Sequence, residues 1–106
     1  MENKAELCNL VVVSKMTAEN IEASKESAEK MIDATRKEEG NLRYDWYTDA
    51  NEEGVKVIME VFNNMEAFQA HINSEHMKEF REKIKDLASA PTVLRVLKPV
   101  DVAPKY

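Results

Sequence analysis

The order in which two hydrophobic periodicities alternate along the chain constrains its fold most strongly. Segments rich in β-branched residues, or with polarity that alternates at every second residue, are typical of strands. Longer segments with apolar residues three or four positions apart are typical of amphipathic helices. The predicted elements are strands at residues 7–13, 42–48, 55–62 and 92–97, one helix at 18–38, and a helical region from Met65 to Pro91.

Local signals mark where these elements begin and end. Thr17 is a suitable N-cap for the first helix, and we expect Gly40 to end that helix in the left-handed conformation. The sequence DANEEG at residues 49–54 is a turn cluster, so the second and third strands should form a hairpin. The side chains of Asn73 and Ser74 can bond to the backbone, which predicts a kink with Ser74 starting a second helical piece.

The resulting order, β-α-β-β-α-β, fits one α+β domain. Right-handed crossovers place both helices on one face of a four-stranded antiparallel sheet with strands one and three central, which is the ferredoxin-like arrangement. Both faces of strands one and three are largely apolar, although the helices can cover only one face. We therefore expect a homodimer in which a partner sheet covers the other face. Residues 1–106 form the domain, with 99–106 as an irregular tail.

Composition narrows the classes of function. The 106 residues include 20 acidic and 15 basic side chains, a net charge of −5 that disfavours binding to nucleic acid. The longest apolar stretch, residues 10–13, is too short to span a bilayer, and no leader-like segment precedes it. We therefore expect a cytoplasmic protein without membrane contact. The one cysteine, Cys8, excludes an intramolecular disulfide, and its apolar strand is typical of an inert thiol.

A pair of histidines raises the question of a metal site. His71 and His76 are five residues apart, ~140° around a helix, whereas zinc-binding pairs on one helix are three or four residues apart. A kink at Asn73 and Ser74 could bring the two rings together, but no third ligand with metal-site spacing is visible in the sequence. The sequence therefore predicts no metal.

Polar side chains stand at positions where an apolar residue would suffice. Asn9 interrupts an apolar strand and either anchors a ligand or pairs with backbone at a strand edge, since an unpaired buried amide costs about 1–3 kcal/mol. Glu60 in the third strand either points to solvent or lies in a cavity. His71, beside Phe68 on an apolar stripe, is either a packed core residue or a proton acceptor, because imidazole titrates near neutrality.

Two strands carry further candidates. Tyr44 and Trp46 share one face of the second strand and can be core residues, dimer contacts or the walls of a pocket. Arg95 is an unexpected charge within the last strand and could meet an anion or a carboxylate such as Asp45.

Three strings occur in this sequence in a specific order. Residues 38–45 read EEGNLRYD, Glu60 closes a strand, and Ala67 begins the pattern A-x-x-x-H-x-x-x-x-H-x-x-x-F. In this combination the chain resembles the antibiotic biosynthesis monooxygenase family over residues 7–96. The resemblance implies a dimeric α+β barrel with a small cavity between each sheet and its helices. It also implies oxidation of quinols or polycyclic phenols by O₂ without metal, flavin or haem, because a phenolate-type substrate can itself reduce O₂.

The resemblance also implies roles for individual residues. His71 would be the proton acceptor, Asn9 a hydrogen-bond anchor for a substrate oxygen, and the aromatic side chains the walls of the cavity. Glu60 and His76 match positions that recur in the family, where they either touch the substrate or brace the fold. The candidate site comprises His71 and Asn9 as catalytic residues, and Tyr44, Trp46, Glu60, Phe62, Phe68, His76 and Arg95 as substrate-binding residues.

Two other branches of the family also resemble the chain. The haem-degrading branch carries a Trp where this chain has His71 and an axial His where it has Arg81, so we expect no haem. The branch that isomerises phosphorylated autoinducer-2 shares the EEGNLRYD-like string and both histidines, and its proton transfer could also use His71. A non-catalytic, dimeric ligand-binding or stress-response domain is a third alternative. Our preferred expectation is a cofactor-independent monooxygenase acting on a quinol-like or polyphenolic small molecule.

Overall fold

The computed structural model describes residues 6–102. Residues 1–5 and 103–106 lie outside the described residues, and with them part of the predicted domain and tail. Among residues 6–102 no helix is long and apolar enough to cross a membrane. The elements are β1 (Cys8–Lys15), α1 (Ala18–Ala23), α2 (Lys25–Arg36), β2 (Asn41–Thr48), β3 (Val55–Phe62), α3 (Met65–Ile72), α4 (Glu75–Ile84) and β4 (Val93–Leu97).

The four strands form one antiparallel sheet in the order β2-β3-β1-β4. Strands β1 and β3 are central, and helices from both halves of the chain pack against the same face, which confirms the predicted ferredoxin-like α+β fold. We call this helix-covered side the inner face. One buried cluster there contains Cys8, Leu10, Phe62 and Phe68, and the other contains Met31, Tyr44 and Ile58.

Strand alternation assigns every sheet residue to one of two faces. Leu10 and Val12 of β1 pack into the inner clusters, so Asn9 and Val11 lie on the opposite side, which we call the outer face. The pairing register extends this assignment to the neighbouring strands. The outer face carries Asn9, Val11, Val13, Val57, Met59, Val61, Val93, Arg95 and Leu97.

The prediction of one continuous helix over residues 18–38 is wrong, because the helix is interrupted at Ser24. The Ser24 hydroxyl is buried and donates to the Asn20 carbonyl oxygen at 2.9 Å, a back-bond that competes with regular helix geometry. The structure accordingly has two helices, α1 and α2, and α2 ends at Arg36. Apolar periodicity continues through the break, so the sequence pattern does not reveal it.

Gly40 is not in the left-handed conformation that we expected for it. Among the described residues Gly54 alone, in the β2–β3 turn, has a positive φ, of 85°. Gly40 is required for a different reason, since a Cβ at this position would lie 2.4 Å from the Cβ of Ala67 on α3. The glycine therefore allows the start of β2 to approach α3 closely.

The predicted kink between residues 73 and 74 is present and separates α3 from α4. The Ser74 hydroxyl accepts from the backbone N–H of Met77 at 3.2 Å and donates to the carbonyl oxygen of His71 at 2.6 Å. These two bonds cap α4 and fix its direction relative to α3. As a result the rings of His71 and His76 have their centroids 6.1 Å apart.

Candidate active site

A cavity of about 260 Å³ lies between the inner face of the sheet and helices α2, α3 and α4. Its walls are mainly apolar with few polar groups, as is usual for sites that bind small molecules. Strand β3 contributes three alternate residues, Lys56, Ile58 and Glu60, because they share the inner face. His71 of α3 lines the same cavity.

Glu38 joins the two histidines. It lies in the loop between α2 and β2, and its Oε2 is 2.9 Å from His71 Nδ1 and 2.5 Å from His76 Nε2. An ionised carboxylate can only accept hydrogen bonds, so both nitrogens donate to it. This hydrogen-bond pattern assigns the proton of a neutral His71 ring to Nδ1 and leaves a lone pair on Nε2.

Burial keeps the His71 ring neutral. The residue is 2% exposed, and this burial lowers the pKa of its imidazole, against the opposing effect of Glu38. His71 Nε2 is 3.9 Å from Glu60 Oε1, inside the cavity. A neutral imidazole with its tautomer fixed by a carboxylate is suited to accept a proton from a ligand hydroxyl.

Glu60 is the second titratable group of the cavity. It is 5% exposed, and within residues 6–102 its Oε1 has no hydrogen-bond partner. Burial, with a smaller contribution from the charge of Glu38, raises the pKa of Glu60 to about 7. Near neutral pH the carboxyl group is therefore present in both forms. It can accept a hydrogen bond from a ligand hydroxyl or donate one to a ligand oxygen.

Aromatic rings form a continuous wall beside these groups. The ring of Tyr44 lies 5.7 Å from that of His71 and 6.2 Å from that of Trp46, and Trp46 in turn lies 5.9 Å from Phe80. Burial and then the nearby Glu60 charge raise the pKa of the Tyr44 phenol, so this group stays neutral. Tyr44 and Trp46 both line the cavity.

The two predicted phenylalanines occupy different places. Phe68 lines the cavity. Phe62 is fully buried, and its ring packs 5.1 Å from the His71 ring and 5.7 Å from Phe68. Phe62 therefore supports the imidazole from the core and is not among the cavity-lining residues.

The structure does not bring Asn9 or Arg95 to the cavity. Both lie on the outer face, because Asn9 precedes the inner Leu10 and Arg95 pairs with Val11 across the sheet. The expectation that Asn9 and His71 share one pocket is therefore wrong within this chain. Arg95 does not meet Asp45, which pairs with Arg43 at 2.9 Å.

Glu38, His71 and His76 are also the residues that could hold a metal ion. Their ligand atoms lie within 4.8 Å of one another, and two histidines with one carboxylate are a common donor set for transition metals. No metal was expected from the sequence, on the assumption that a third ligand was lacking. That assumption is wrong, because Glu38 reaches both rings from 33 and 38 residues away.

Three residues of the site were not assigned a role from sequence. Glu38 stands in an acidic pair after a charged helix, which is typical of a solvated surface, and its place in the EEGNLRYD string was the only signal. Lys56 was not recognised as a candidate, because the apolar pattern of β3 gave no reason to single it out. Phe80 was recognised as an apolar position of the helix, and the pattern could not show that it meets Trp46.

Comparison with known proteins identifies the family. A profile of the family described as antibiotic biosynthesis monooxygenase matches residues 9–83, which include the cavity residues of β2, β3 and α3. The chain belongs to this family. Membership and the names of its relatives support a monooxygenase-like function.

Two curated relatives are similar over most of their length. YcnE of Bacillus subtilis, described as a candidate monooxygenase, is 32% identical over 77 residues, covering 73% of this chain and 81% of YcnE. Rv0793 of Mycobacterium tuberculosis, with the same description, is 34% identical over 73 residues, covering 69% of this chain and 71% of Rv0793.

Solved structures show the same fold. The structure of Rv0793 superposes with a TM-score of 0.84 at 26% identity, covering 92% of this chain and 99% of that one. A family member from Nitrosomonas europaea also gives a TM-score of 0.84, at 19% identity, covering 94% of this chain and 96% of that one.

Proposed function

We propose that this family member is a cofactor-independent monooxygenase that oxidises a quinol-like or polyphenolic small molecule with O₂. One observation carries the proposal: a neutral imidazole, with its free Nε2 beside an unpartnered carboxyl oxygen, lies in an aromatic-walled cavity. Such a site suits a substrate that combines an aromatic body with an ionisable hydroxyl group.

The chemistry begins with removal of the hydroxyl proton. His71 Nε2 accepts this proton, and Glu38 stabilises the resulting imidazolium through the bond to Nδ1. The bound phenolate is electron-rich and transfers one electron to O₂, after which the two radicals combine and form a C–O bond. The imidazolium returns its proton to the distal oxygen, which gives a carbon-bound hydroperoxide.

The hydroperoxide then loses water. The same carbon releases its remaining hydrogen as a proton while the O–O bond breaks, so a carbonyl group and water are formed. One oxygen atom of O₂ enters the product and the other enters water, with the substrate supplying all the electrons. The apolar walls exclude bulk water from these intermediates.

The proposal includes a homodimer formed through the outer face. Apolar side chains on this face remain exposed, with Met59 at 37%, Val93 at 42% and Leu97 at 42%. Exposed apolar patches of this kind mark interaction surfaces, and an apolar sheet face is self-complementary about a two-fold axis. In such a dimer Asn9 and Arg95 lie at or near the interface.

An isomerase acting on a phosphorylated small molecule is a second candidate. It is favoured by two cationic residues, Lys56 and Arg81, that line the cavity. The aromatic wall of Tyr44, Trp46 and Phe80 favours an aromatic substrate instead. The isomerase therefore ranks second.

Oxygen uptake by metal-stripped protein across a panel of quinols and anthrone-like phenols tests the proposed function. We expect uptake with at least one compound and, under ¹⁸O₂, one labelled atom in the product per O₂ consumed. Parallel samples with added Zn²⁺, Fe²⁺ or flavin act as controls. Uptake that appears only after one of these additions would contradict cofactor independence.

A further inference from the structure

The inner face of β3 carries a basic residue at one end of the cavity and an acidic residue at the other. Lys56 and Glu60 both line it and are four residues apart, so their Cα atoms are separated by ~13 Å along the strand. Ile58 lies between them, opposite Trp46 of β2. The carboxyl end also contains His71, whereas the lysine end contains Ser14 of β1 and Thr92.

Lys56 is a partly buried cation without a counter-charge in the described part of the chain. No salt bridge involves it, and its ammonium nitrogen lies 5.2 Å from the centre of the Trp46 ring. Burial lowers the pKa of Lys56, which reflects the free-energy cost of holding this charge away from water. An anionic group of a ligand would offset that cost and convert the lysine into a binding group.

We propose that Lys56 forms an anion subsite, and that the ligand of this cavity is an aromatic acid with its carboxylate on Lys56 and a hydroxyl group at His71 and Glu60. This inference rests on the proposed site for the hydroxyl group. Because the two polar groups come from opposite ends of the cavity, the carboxylate and the hydroxyl group must be separated by a rigid apolar body. A naphthalene ring substituted at opposite ends provides such a body and can lie against the side chains of Trp46 and Ile58, which line the cavity between its two ends.

The other lining cation is placed differently. Arg81 of α4 is exposed, and its Nη1 already donates to the carbonyl oxygen of Ile72 at 3.2 Å. It lies near the histidine end of the cavity, because Ile72 directly follows His71. Arg81 therefore provides a matched control, since its replacement also removes one lining positive charge.

Binding of two matched probes tests the subsite without any turnover. 6-Hydroxy-2-naphthoate carries both polar ends, and 2-naphthol lacks the carboxylate. Calorimetry should show that wild-type protein binds the naphthoate about tenfold or more tightly than naphthol, because a charged hydrogen bond contributes about that much. Lys56→Met should remove this preference, mainly by weakening naphthoate binding, whereas Lys56→Arg and Arg81→Gln should retain it.

Each alternative result overturns the inference. A naphthoate preference that survives in Lys56→Met, or disappears in Arg81→Gln, would place the anion elsewhere. A second contrary result is that neither naphthalene probe binds, while glycerol 3-phosphate binds and loses affinity in Lys56→Met. That result would show that the ligand is a small phosphate ester and not an aromatic acid. Absence of oxygen uptake with quinols would refute the proposed function alone, because the binding preference is measured independently of reaction.

Discussion

At the scale of single residues, burial shifts the pKa values of two cavity groups, Glu60 and His71, in opposite directions. Burial raises the pKa of Glu60 from 4.5 to about 7, so its contribution to stability is complete below pH 4.5 and is lost as the pH rises to 7. Burial lowers the pKa of His71, so its contribution is present above pH 6.5 and is lost as the pH falls. The two effects partly cancel in the wild-type protein.

Glu60→Gln should therefore separate the two titrations. We subtract the unfolding free energy of Glu60→Gln from that of the wild-type protein. This difference should decrease by on the order of 3 kcal/mol as the pH rises from about 4.5 to about 8. The Glu60→Gln protein itself should become more stable as the pH rises to about 7. Of the two contributions described above, it retains only that of His71. Urea denaturation at several pH values measures both trends, and a constant difference between the two proteins would disprove the assignment to Glu60.

The sequence identified most groups of the site but not their arrangement. His71, Glu60, Tyr44 and Trp46 were recognisable because polar or aromatic residues stood in apolar patterns. Asn9 satisfied the same criterion, yet it lies on the other face of the sheet, since one residue along a strand reverses the direction of the side chain. Side chains that meet across long sequence separations cannot be recognised by local patterns.

At the scale of the elements, the kink between α3 and α4 positions both histidines. Ser74→Ala removes the bonds to Met77 and His71 and should cost about 1 kcal/mol of stability. It should also reduce the rate of turnover, because the α3–α4 angle is no longer fixed.

The matched control for Ser74→Ala is Thr17→Ala, which removes the N-cap of α1, where the Thr17 hydroxyl accepts from the Asn20 N–H at 3.2 Å. Its stability loss should be similar, without any loss of turnover. Thermal unfolding and initial rates measure the pair, and equal loss of turnover in both variants would contradict a positioning role for the kink.

The contact between β2 and α3 gives a second prediction at this scale. Gly40→Ala should destabilise the protein by about 1–3 kcal/mol, because the new Cβ would lie 2.4 Å from Ala67. The double variant Gly40→Ala/Ala67→Gly removes the clash and should regain most of this stability. A loss of ~1 kcal/mol should remain, because glycine is unfavourable within a helix. Urea denaturation of the four proteins in this cycle measures the coupling. A double variant with strictly additive losses would show that the steric contact is not the cause.

The order and position of the elements were predictable, since each depends on local periodicity and capping. The third strand was predicted at residues 55–62 and is found there, and the kink at 73–74 is present. The break at Ser24 and the role of Gly40 were not predictable, because the first depends on a buried hydroxyl bond and the second on packing against α3.

At the scale of the whole molecule, the outer face predicts self-association. Met59→Lys places a charge at the centre of this face and should convert a dimer into a monomer in sedimentation velocity at micromolar concentration. The control is Met65→Lys, since Met65 is 48% exposed at the start of α3 and away from the sheet. A monomeric wild-type protein, or dissociation in both variants, would contradict association through the outer face.

The most direct test of the account compares the two histidines with a substrate found in the panel. His71→Asn keeps a donor near the Nδ1 position but removes the Nε2 base, whereas His76→Gln keeps a donor near the Nε2 position that binds Glu38. We expect His71→Asn to lower the rate of oxygen uptake by roughly 10²–10⁴-fold and His76→Gln to lower it by no more than about tenfold. Equal losses in both variants would contradict a base at His71 and would indicate that the three residues act together, as metal ligands do.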